Sequence, residues 1–545
     1  MEKKMKKVSH VVALLRRYGI RDFFLKYMER RQRDAQDYHG WYENHAKATG
    51  EELERQRKVV WDDEPCVSIL VPAYETQPRF LKEMIDSLVA QTYPNWQLCL
   101  ADGSHSDKVE QFITKHYPEE KRITYYRLKE NKGIAENTNE ALKLAKGAYV
   151  GLLDHDDYLA PNALYEVMMA HQKEPDAQTF YTDEDKVVDQ ARKHVQPHFK
   201  PDLNWFLLRS NNYICHFFVV ETALAREAGG FRSAFDGAQD YDFILRCVEK
   251  SRKTCHIPKI LYHWRIHEAS TAGNTDSKRY AYEAGKAAIE AHLKRQKIDA
   301  KVILTKDLGF YRTIYQGKDE PRILQLTWNE ARKTLQESVF QKAHKWADYY
   351  VICDSRIRMH PKDWRGLLVR TCQCAGVGMV GIPCYSGKRL KHAAMTWLRS
   401  GCIIPIFPGL PQGFKGEFAR AVTCQNVSIV GPECVVIKAE ALEKIGGMAR
   451  NLTGKYAVAD LCFRMKEAGY QVVYQPQCVA TMPKRFLKEQ TNETDKKQEE
   501  IFCKKWEKYL HKRDAYYNEN LSVTPANYQP KGITHQGKTV RGVRK

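Results

Sequence analysis

Four residues at the end of an apolar stretch carry the most concentrated chemistry of the sequence. Residues 148–153 are mostly apolar and predict a buried strand, and Asp154, His155, Asp156 and Asp157 follow directly. Two carboxylates one residue apart cannot enter a core unpaired, because burying bare charge is costly. They can hold a hard divalent cation, and such a cation can hold a diphosphate. The alternative is a loop that caps a helix, since Asp is also favoured there.

Two more polar segments follow apolar stretches upstream. They are Pro72, Ala73, Tyr74 and Glu75 after residues 66–71, and Asp102 after residues 96–101. Ligands of open parallel sheets sit beyond the carboxyl ends of the strands, so three such ends can share one crevice. The prediction is a nucleotide site, with backbone from the first end, a carboxylate for a base or ribose from the second, and a metal from the third.

The spacing of apolar residues predicts the elements that position these groups. Strands are expected at residues 66–71, 96–101, 123–128 and 148–153, with helical periodicity at 80–90 and 134–145. Strands that alternate with helices in this way predict an α/β fold with a doubly wound, mostly parallel, Rossmann-like sheet.

Several of these segments together resemble the successive motifs of family-2 glycosyltransferases with the GT-A fold. The matching motifs are Val71-Pro72-Ala73-Tyr74, Gln91-Thr92-Tyr93-Pro94, Ala101-Asp102-Gly103-Ser104, Asn131-Lys132-Gly133 and Asp154-His155-Asp156-Asp157. The resemblance implies an inverting transferase that takes a nucleotide-diphosphate sugar, with Mn²⁺ or Mg²⁺ as cofactor. It implies that Asp102 contacts the base and that Asp154 and Asp156 contact the ribose and the metal. Lys132, Gly133 and His155 are assigned to the nucleotide sugar on the same ground.

An inverting transfer also needs a carboxylate that takes the proton of the acceptor hydroxyl. In the family this residue opens a helix at the position that Asp240 occupies here. Asp242, two residues later, is expected to orient or cap. Both aspartates could also serve only as helix caps.

A later predicted strand ends in Tyr262-His263-Trp264-Arg265-Ile266-His267. Arg265 and His267 alternate on one strand face, so they could reach a diphosphate or a metal together, or lie on the surface. Resemblance to the family's closing Arg-x-His segment favours function, with Arg265 on the nucleotide sugar and His267 on the metal.

A second acidic cluster, at residues 183–185, ends another predicted strand. It could be a metal site, a solvated turn or the rim of the sugar or acceptor pocket. The rim is the preferred interpretation, and the residues assigned to this pocket are Asp183, Asp185, Asp242 and His263.

The second half of the chain repeats the design of the first. A predicted strand followed by an acidic residue recurs at residues 346–354. When the two copies are aligned, Arg356 corresponds to Asp156 and Val458 corresponds to Asp240. An arginine opposes cation binding and a valine cannot take a proton. No strand that ends like Val71-Pro72 is recognised between residues 311 and 346. We therefore expect a truncated, degenerate second GT-A-like domain kept for packing, acceptor binding or self-association.

A glycine run at residues 376–381 matches the dinucleotide-binding fingerprint letter by letter. It enters a predicted strand instead of leaving one for a helix, so it is discounted. The expected domains are a helical N-terminal region (1–64), the catalytic domain (65–307), the degenerate domain (308–485), a helical segment (486–520) and a disordered basic tail (521–545).

The net charge of +20 predicts an anionic partner. Residues 1–35 are rich in Lys and Arg, with apolar residues at roughly helical spacing, which suits an anionic membrane surface or a helix packed on the next domain. No apolar run is long enough to span a membrane, and no secretory signal is recognised. Fifteen cysteines without disulfide or metal spacing suit a reducing cytoplasm.

These observations predict a cytoplasmic enzyme, peripheral at the inner face of the plasma membrane. Its acceptor would be a glycan or a lipid-linked saccharide of a surface polysaccharide, and a homo-oligomer is compatible with the sequence. An inactive glycan-binding scaffold is the main alternative, because the second copy is degenerate. A nucleic-acid binder fits the charge, but no recognised module accompanies it, so no specific nucleic acid is expected.

Overall fold

The N-terminal region of the computed structural model is helical. The structure describes residues 2–188, 192–267, 279–317, 320–336, 347–483 and 493–533. The first three helices are α1 (Glu2–Asp34), α2 (Tyr38–His45) and α3 (Gly50–Arg57). Gly19 interrupts α1 with a φ of 78°, which a glycine adopts without strain. In the described part of the chain, no helix combines the length and apolarity that crossing a bilayer requires.

The first domain alternates strands and helices, as predicted. Its strands are β1 (Val67–Ala73), β2 (Trp96–Asp102), β3 (Ile123–Arg127), β4 (Tyr149–Leu152), β5 (Tyr158–Leu159), β6 (Thr179–Val188), β7 (Lys193–His198), β8 (Phe218–Glu221), β9 (Thr254–Ile266), β10 (Ala300–Leu304) and β11 (Tyr311–Tyr315). Its helices are α4 (Pro78–Val89), α5 (Lys108–His116), α6 (Ile134–Leu144), α7 (Ala163–Lys173), α8 (Trp205–Leu208), α9 (Thr222–Glu227), α10 (Gln239–Lys250) and α11 (Arg279–Arg295).

The central sheet has the order β3-β2-β1-β4-β8-β6-β9-β5. Strands β1 to β4 are parallel, whereas β8 pairs antiparallel with both β4 and β6. Alternate residues of β1 enter two separate hydrophobic cores, with Leu70 on one face and Ile69 on the other. The α/β class is therefore confirmed. The loops after β1, β2 and β4, which carry the predicted site residues, all follow strands of the parallel half of the sheet.

A hairpin spans the expected end of the first domain at residue 307. Strands β10 and β11 form this antiparallel hairpin from Ala300 to Tyr315. Tyr311 packs in the core of the first domain, whereas Tyr315 packs in a core with Tyr349 and Val351 of the second. The hairpin therefore contacts both domains, and the boundary at residue 307 stays a prediction.

The second domain has its own sheet and helices. Its strands are β12 (Ile323–Thr327), β13 (Tyr349–Cys353), β14 (Arg358–His360), β15 (Val377–Gly381), β16 (Cys384–Ser386), β17 (Arg389–His392), β18 (Met395–Trp397), β19 (Ile403–Pro405), β20 (Gln425–Asn426), β21 (Cys434–Lys438), β22 (Gln471–Tyr474) and β23 (Val479–Met482). Its helices are α12 (Trp328–Thr334), α13 (Trp364–Cys372), α14 (Ala439–Lys444) and α15 (Gly454–Glu467).

The main sheet of the second domain repeats the central strands of the first. The order β12-β13-β21-β15-β22 has the same sequence of parallel and antiparallel pairs as β1-β4-β8-β6-β9. Strand β12 stands in the place of β1, so the expectation that nothing of the front half remains was wrong. That strand does not end in Val-Pro, so the motif search of the sequence did not identify it. The glycine run at 376–381 enters β15, as expected.

The C-terminal segment crosses back over both domains. Helix α16 (Glu493–Leu510) packs on the second core, and Leu521 and Ala526 are buried beyond it. The backbone N–H of Phe407 donates to the Ala526 carbonyl at 2.7 Å. The prediction of disorder was therefore wrong for residues 521–533, because these two apolar side chains find a core. Residues 534–545 lie outside the described part.

Candidate active site

The loops after β1, β2 and β4 meet at one edge of the sheet. The backbone N–H of Glu75 donates to Ser104 Oγ at 2.8 Å, which joins the first loop to the second. Thr76 Oγ1 lies 3.0 Å from His155 Nδ1, which joins the first loop to the third. These hydrogen bonds bring together the three strand ends that the sequence predicted to converge.

Three aspartates of the β4 loop form a compact acidic cluster. Carboxylate oxygens of Asp154, Asp156 and Asp157 all lie within 4.8 Å of one another. Burial, and then the charges of Asp156 and Asp154, raise the pKa of Asp157 well above its usual value. Tyr262 Oη donates to the Asp157 carboxylate at 2.6 Å. A cluster of hard oxygen ligands of this kind fits Mg²⁺ or Mn²⁺.

His267 joins the acidic cluster, as the sequence predicted. Its Nε2 lies 2.8 Å from Asp156 Oδ2, and its ring packs 4.8 Å from that of Phe80. An imidazole nitrogen beside the carboxylates is compatible with a shared cation.

Arg265 does not face the crevice. It is only 2% exposed, and its guanidinium pairs with Glu83 at 2.6 Å and donates from Nε to the Asp156 carbonyl at 2.7 Å. Its backbone N–H donates to Asp157 at 2.8 Å. The assignment of Arg265 to the nucleotide sugar is therefore corrected: this side chain positions the acidic loop from behind.

Asp240 is the second residue of α10 and is held towards the crevice. Its Oδ2 accepts a hydrogen bond from Asn212 Nδ2 at 2.8 Å and lies 3.5 Å from Cys215 Sγ. Burial raises the pKa of Asp240, and the charge of Asp154 adds to this, against the opposing charge of His216. A carboxylate of raised pKa is a stronger proton acceptor, which suits a general base.

His216 and Glu184 belong to the site, and sequence reasoning missed both. His216 Nε2 lies 3.6 Å from Asp154 Oδ2, and His216 Nδ1 lies 3.5 Å from Glu184 Oε2. Burial opposes the charge of His216, but the surrounding thiol and carboxylates raise its pKa well above the usual value. The signal was strand alternation, since Glu184 must face opposite to its neighbours in β6.

The neighbours Asp183, Asp185 and His263 are buried and do not form a pocket rim. Asp183 accepts hydrogen bonds from Asn518 Nδ2 at 2.8 Å and from the Lys200 N–H at 2.8 Å. Asp185 lies 2.6 Å from His263 Nδ1, in a cluster that also contains His194. Tyr38 and Tyr42 of α2 cover this cluster by hydrogen bonds to Asp185 and His263. The pocket assignment of these residues is therefore corrected.

Asp242 is also absent from the crevice. Its buried carboxylate pairs with Arg232 and Arg246, each through Nε at 2.9 Å. Arg246 in turn donates to the carbonyls of Ala228 and Gly230, which ties the Gly229-Gly230 turn to α10. Asp242 orients this helix, which matches the more modest of its predicted roles, and it does not line the acceptor pocket.

The remaining predicted donor residues differ in exposure. Asp102 is fully buried, with its oxygens bonded to the Ser104 N–H and Tyr125 Oη, each at 2.9 Å. Tyr74 is 43% exposed at the mouth of the crevice. Pro72 and Ala73 end β1 and Glu75 lies in the loop that follows, while Lys132 is exposed and Gly133, with a φ of 92°, precedes α6. A base contact by Asp102 would share a carboxylate that already has two donors.

The corresponding place in the second domain has the opposite chemistry. Arg356 donates from Nε to Asp354 Oδ1 at 2.8 Å, so the remaining carboxylate is already paired. By the register of the strand pairs, Glu433 takes the place of His216, and Lys391 binds it at 3.0 Å. Val458 stands in place of Asp240, since Asp460 and Arg464 of α15 repeat Asp242 and Arg246 of α10.

Comparison with known proteins finds similarity between the first domain and a family of transferases. Residues 68–229 match the family model described as glycosyl transferase family 2. An uncharacterized protein of Sinorhizobium fredii is 32% identical over 80% of this chain and 55% of its own length. The O-antigen biosynthesis protein RfbC of Myxococcus xanthus is 25% identical over 84% of this chain and 40% of its own length. The chain thus spans about half the length of these curated relatives.

Solved structures give weaker likenesses. S. aureus TarS 1-349 in complex with UDP-GlcNAc has a TM-score of 0.35 and 20% identity, over 42% of this chain and 66% of that one. The mannosyltransferase PcManGT from Pyrobaculum calidifontis, in complex with GDP-Man and Mn²⁺, has a TM-score of 0.32 and 17% identity, over 45% of this chain and 69% of that one. At these values the fold rests on the strand order of the chain itself.

Proposed function

We propose that this chain, whose residues 68–229 form a glycosyl transferase family 2 domain, transfers a sugar from a nucleotide-diphosphate donor to a hydroxyl of a saccharide acceptor with inversion. The observation that carries the proposal is the placement of Asp240. Its carboxylate is held by Asn212 and shares the electrostatic surroundings of Asp154, beside the acidic cluster. A proton acceptor next to a cation-binding cluster is what a single displacement requires.

The step uses the chain's own groups as follows. Asp240 takes the proton of the acceptor hydroxyl while the acceptor oxygen bonds to the anomeric carbon from the face opposite the donor phosphate. The bond from the anomeric carbon to the phosphate oxygen breaks, and its electron pair leaves on the nucleoside diphosphate. Asp154, Asp156, Asp157 and His267 would hold a Mn²⁺ or Mg²⁺ ion, which when bound stabilises the negative charge of the diphosphate.

Each supporting residue has a defined part in this proposal. Asn212 orients the base, and Arg265 fixes the loop that carries Asp156. The His216 imidazolium between Asp154 and Glu184 adds a positive charge on the side of the leaving group. The loops with Tyr74, His155 and Lys132 would bind the nucleotide sugar, and Asp102 its base.

The relatives favour a surface polysaccharide as the product. One is named an O-antigen biosynthesis protein, and a chondroitin synthase of Escherichia coli is 29% identical over 38% of this chain. The acceptor we propose is accordingly a glycan or lipid-linked saccharide of the cell envelope.

Calorimetric titration of UDP-, GDP-, CMP- and dTDP-sugars tests the proposal, with Mn²⁺, with Mg²⁺ and with EDTA. We expect one nucleotide to bind only with metal, and Asp156→Ala to weaken that binding at least 100-fold, beyond the roughly 10- to 100-fold loss for an outer partner of a metal ligand. Asp354→Ala is the matched control at the equivalent strand end of the second domain, and should bind like the native chain. Binding of no donor would favour an inactive glycan-binding scaffold.

We further propose that α1 lies on an anionic membrane surface, with the enzyme peripheral at the inner face of the plasma membrane. Ile20, Phe24, Tyr27 and Met28 are 71%, 57%, 56% and 50% exposed, at the spacing of one helix face. Exposed arginines stand beside them, at positions 16, 21, 30 and 31. The opposite face packs on the protein, since Tyr18 is buried and Lys26 pairs with Asp307 at 2.8 Å, so packing on the protein does not compete with the proposed membrane contact.

Cosedimentation with vesicles tests this surface. We expect the native chain to bind phosphatidylglycerol vesicles and not phosphatidylcholine vesicles, and the double variant Phe24→Ser, Met28→Ser to remain in solution. Val60→Ser is the control, since Val60 is 92% exposed outside α1. Equal binding by the double variant and the control would refute the assignment.

A further inference from the structure

A groove of about 700 Å³ runs between α1 and the body of the protein. One wall is α1, the second is the 307–310 turn with Gln196 of the first domain, and the third is the 407–419 loop of the second domain. The C-terminal segment closes the floor through residues 527 and 529. We call this cavity the three-wall groove. No residue of the predicted donor site lines it.

The lining of the three-wall groove has two kinds of side chain suited to a carbohydrate. Side-chain amides supply both donors and acceptors, which match hydroxyl groups that are themselves both. The amides are Gln32, Gln36, Gln196, Asn527 and Gln529. Aromatic rings supply flat apolar faces for the C–H faces of sugar rings. The partly exposed rings of the lining include Phe23, Phe310 and Phe418.

The charged residues of the three-wall groove are largely paired with one another. Lys26 and Lys415 both bind Asp307, and Arg33 lies 3.8 Å from Glu417. Glu29 accepts hydrogen bonds from the backbone N–H groups of the 415–416 segment. Arg17 and Arg30 also line the groove, so five cationic side chains stand against three carboxylates and the lining carries a net positive charge, which an acidic saccharide would complement.

The three-wall groove adjoins the site around Asp240 through one stacked pair of rings. The Phe418 ring lies 3.8 Å from that of His198, nearly parallel to it. His198 Nδ1 lies 3.3 Å from Glu184 Oε1, and the same carboxylate lies 3.5 Å from His216 through Oε2. Phe418, His198 and Glu184 therefore separate the groove from the imidazole of His216.

Backbone strain is concentrated at these two places. Among the described residues, nine that are not glycine have positive φ, and four of them line the groove: Gln196 (51°), Phe407 (58°), Phe418 (47°) and Ala419 (55°). Glu75 and Cys215, at the donor crevice and beside Asp240, are two more. Such conformations are uncommon for bulky side chains and cluster at ligand sites.

We propose that the three-wall groove binds an oligosaccharide segment of the acceptor that is remote from the hydroxyl that reacts. This inference rests on the proposed function. It also gives the second domain a role, because the 407–419 loop supplies a wall that the first domain lacks. The second domain would then have lost donor chemistry and kept a part in acceptor recognition.

Binding to an array of defined neutral and acidic bacterial oligosaccharides, each with and without an octyl tail, tests the proposal in the absence of donor. We expect the native chain to bind one free oligosaccharide. Gln32→Ala, Gln196→Ala and Phe418→Ala, one on each wall, should each weaken that binding about tenfold. Donor affinity should be unchanged. Val422→Ala is the matched control, because Val422 is exposed just beyond the 407–419 loop and outside the groove.

Two results would overturn the groove assignment without touching the proposed function. One is donor binding with no saccharide bound, and the other is binding of octyl forms alone, which would make the groove a lipid site. Loss of donor binding in the native chain would instead count against the proposed function. In assays of transfer, Gln32→Ala and Gln196→Ala should raise the KM for acceptor and leave kcat and the KM for donor unchanged. These two amide variants remove no buried apolar group, so they keep the test informative if Phe418→Ala does not fold.

Discussion

The two domains share a strand order and differ in what stands at the ends of the strands. In the first, Asp154 and Asp156 face a histidine, whereas in the second Asp354 is bound by Arg356 and the histidine position is Glu433. Both carboxylates of the second pocket are therefore paired with cationic side chains, Arg356 and Lys391. Charge inversion at a few loop positions separates two domains that the backbone makes alike.

What both domains keep is equally informative. Asp242 with Arg246 and Asp460 with Arg464 are the same i, i+4 pair, and each arginine holds carbonyls of the preceding Gly-Gly turn. Each aspartate is buried and bound by a second cation, Arg232 in the first domain and Lys505 in the second. The comparison separates residues that build the helix from residues that perform the chemistry.

The largest expected effect comes from Asp240→Asn. An amide cannot take the hydroxyl proton, so kcat should fall about 1,000-fold while metal-dependent donor binding persists. Product formation with radiolabelled donor measures this, and Arg356→Ala should retain full activity. Residual transfer that disappears on a further Asp354→Asn change would mean that the second domain catalyses too, and the comparison would fail.

An effect of intermediate size, on stability, is expected for the Asp–Arg pair that both domains share. Asp242→Asn and Asp460→Asn each remove a buried charge from two cations, so each should lower the free energy of unfolding by about 3 kcal/mol. Urea denaturation of the two variants measures it. Similar losses, with donor affinity unchanged in Asp242→Asn, would sharpen the comparison, whereas weaker donor binding there would return Asp242 to the site.

The smallest effect concerns pH. Because burial raises the pKa of Asp240 above its ordinary value of 3.8, kcat/KM should fall as pH decreases through that raised pKa, where the carboxylate becomes protonated. Asn212→Ala removes a hydrogen bond to the charged form, so the acidic limb should move up by about one pH unit. If the acidic limb of the pH profile does not move in Asn212→Ala, Asn212 does not influence the pKa of Asp240. The profile of Arg356→Ala should coincide with that of the native chain.

Much of the first domain could be predicted from the sequence because its signals are local. Apolar strands that end in Pro72, Asp102 and Asp154 specify both the parallel sheet and the convergence of its loops. The alignment of Asp240 with Val458 was recoverable from the helix pattern and agrees with the paired positions of Asp242 and Asp460.

The errors have one physical cause, which is burial by partners distant in the chain. Asp185 and His263 looked available because nothing nearby in sequence covers them, yet Tyr38 and Tyr42 of α2 do. Arg265 was predicted to bind a phosphate, but its guanidinium forms an ion pair with Glu83 of α4. Strand β12 escaped notice because pairing with β13 defines it more than any motif does.

The hydrogen bond from Asn518 to Asp183 has a consequence for biosynthesis. It joins residues 335 positions apart, and its acceptor is a fully buried carboxylate of β6 in the first domain. When only the first domain of a nascent chain has emerged from the ribosome, this carboxylate lacks one of its hydrogen-bond donors. The first domain therefore completes the hydrogen bonding of this core carboxylate only after residue 518 has been synthesised, so its folding depends on the arrival of the C-terminal segment.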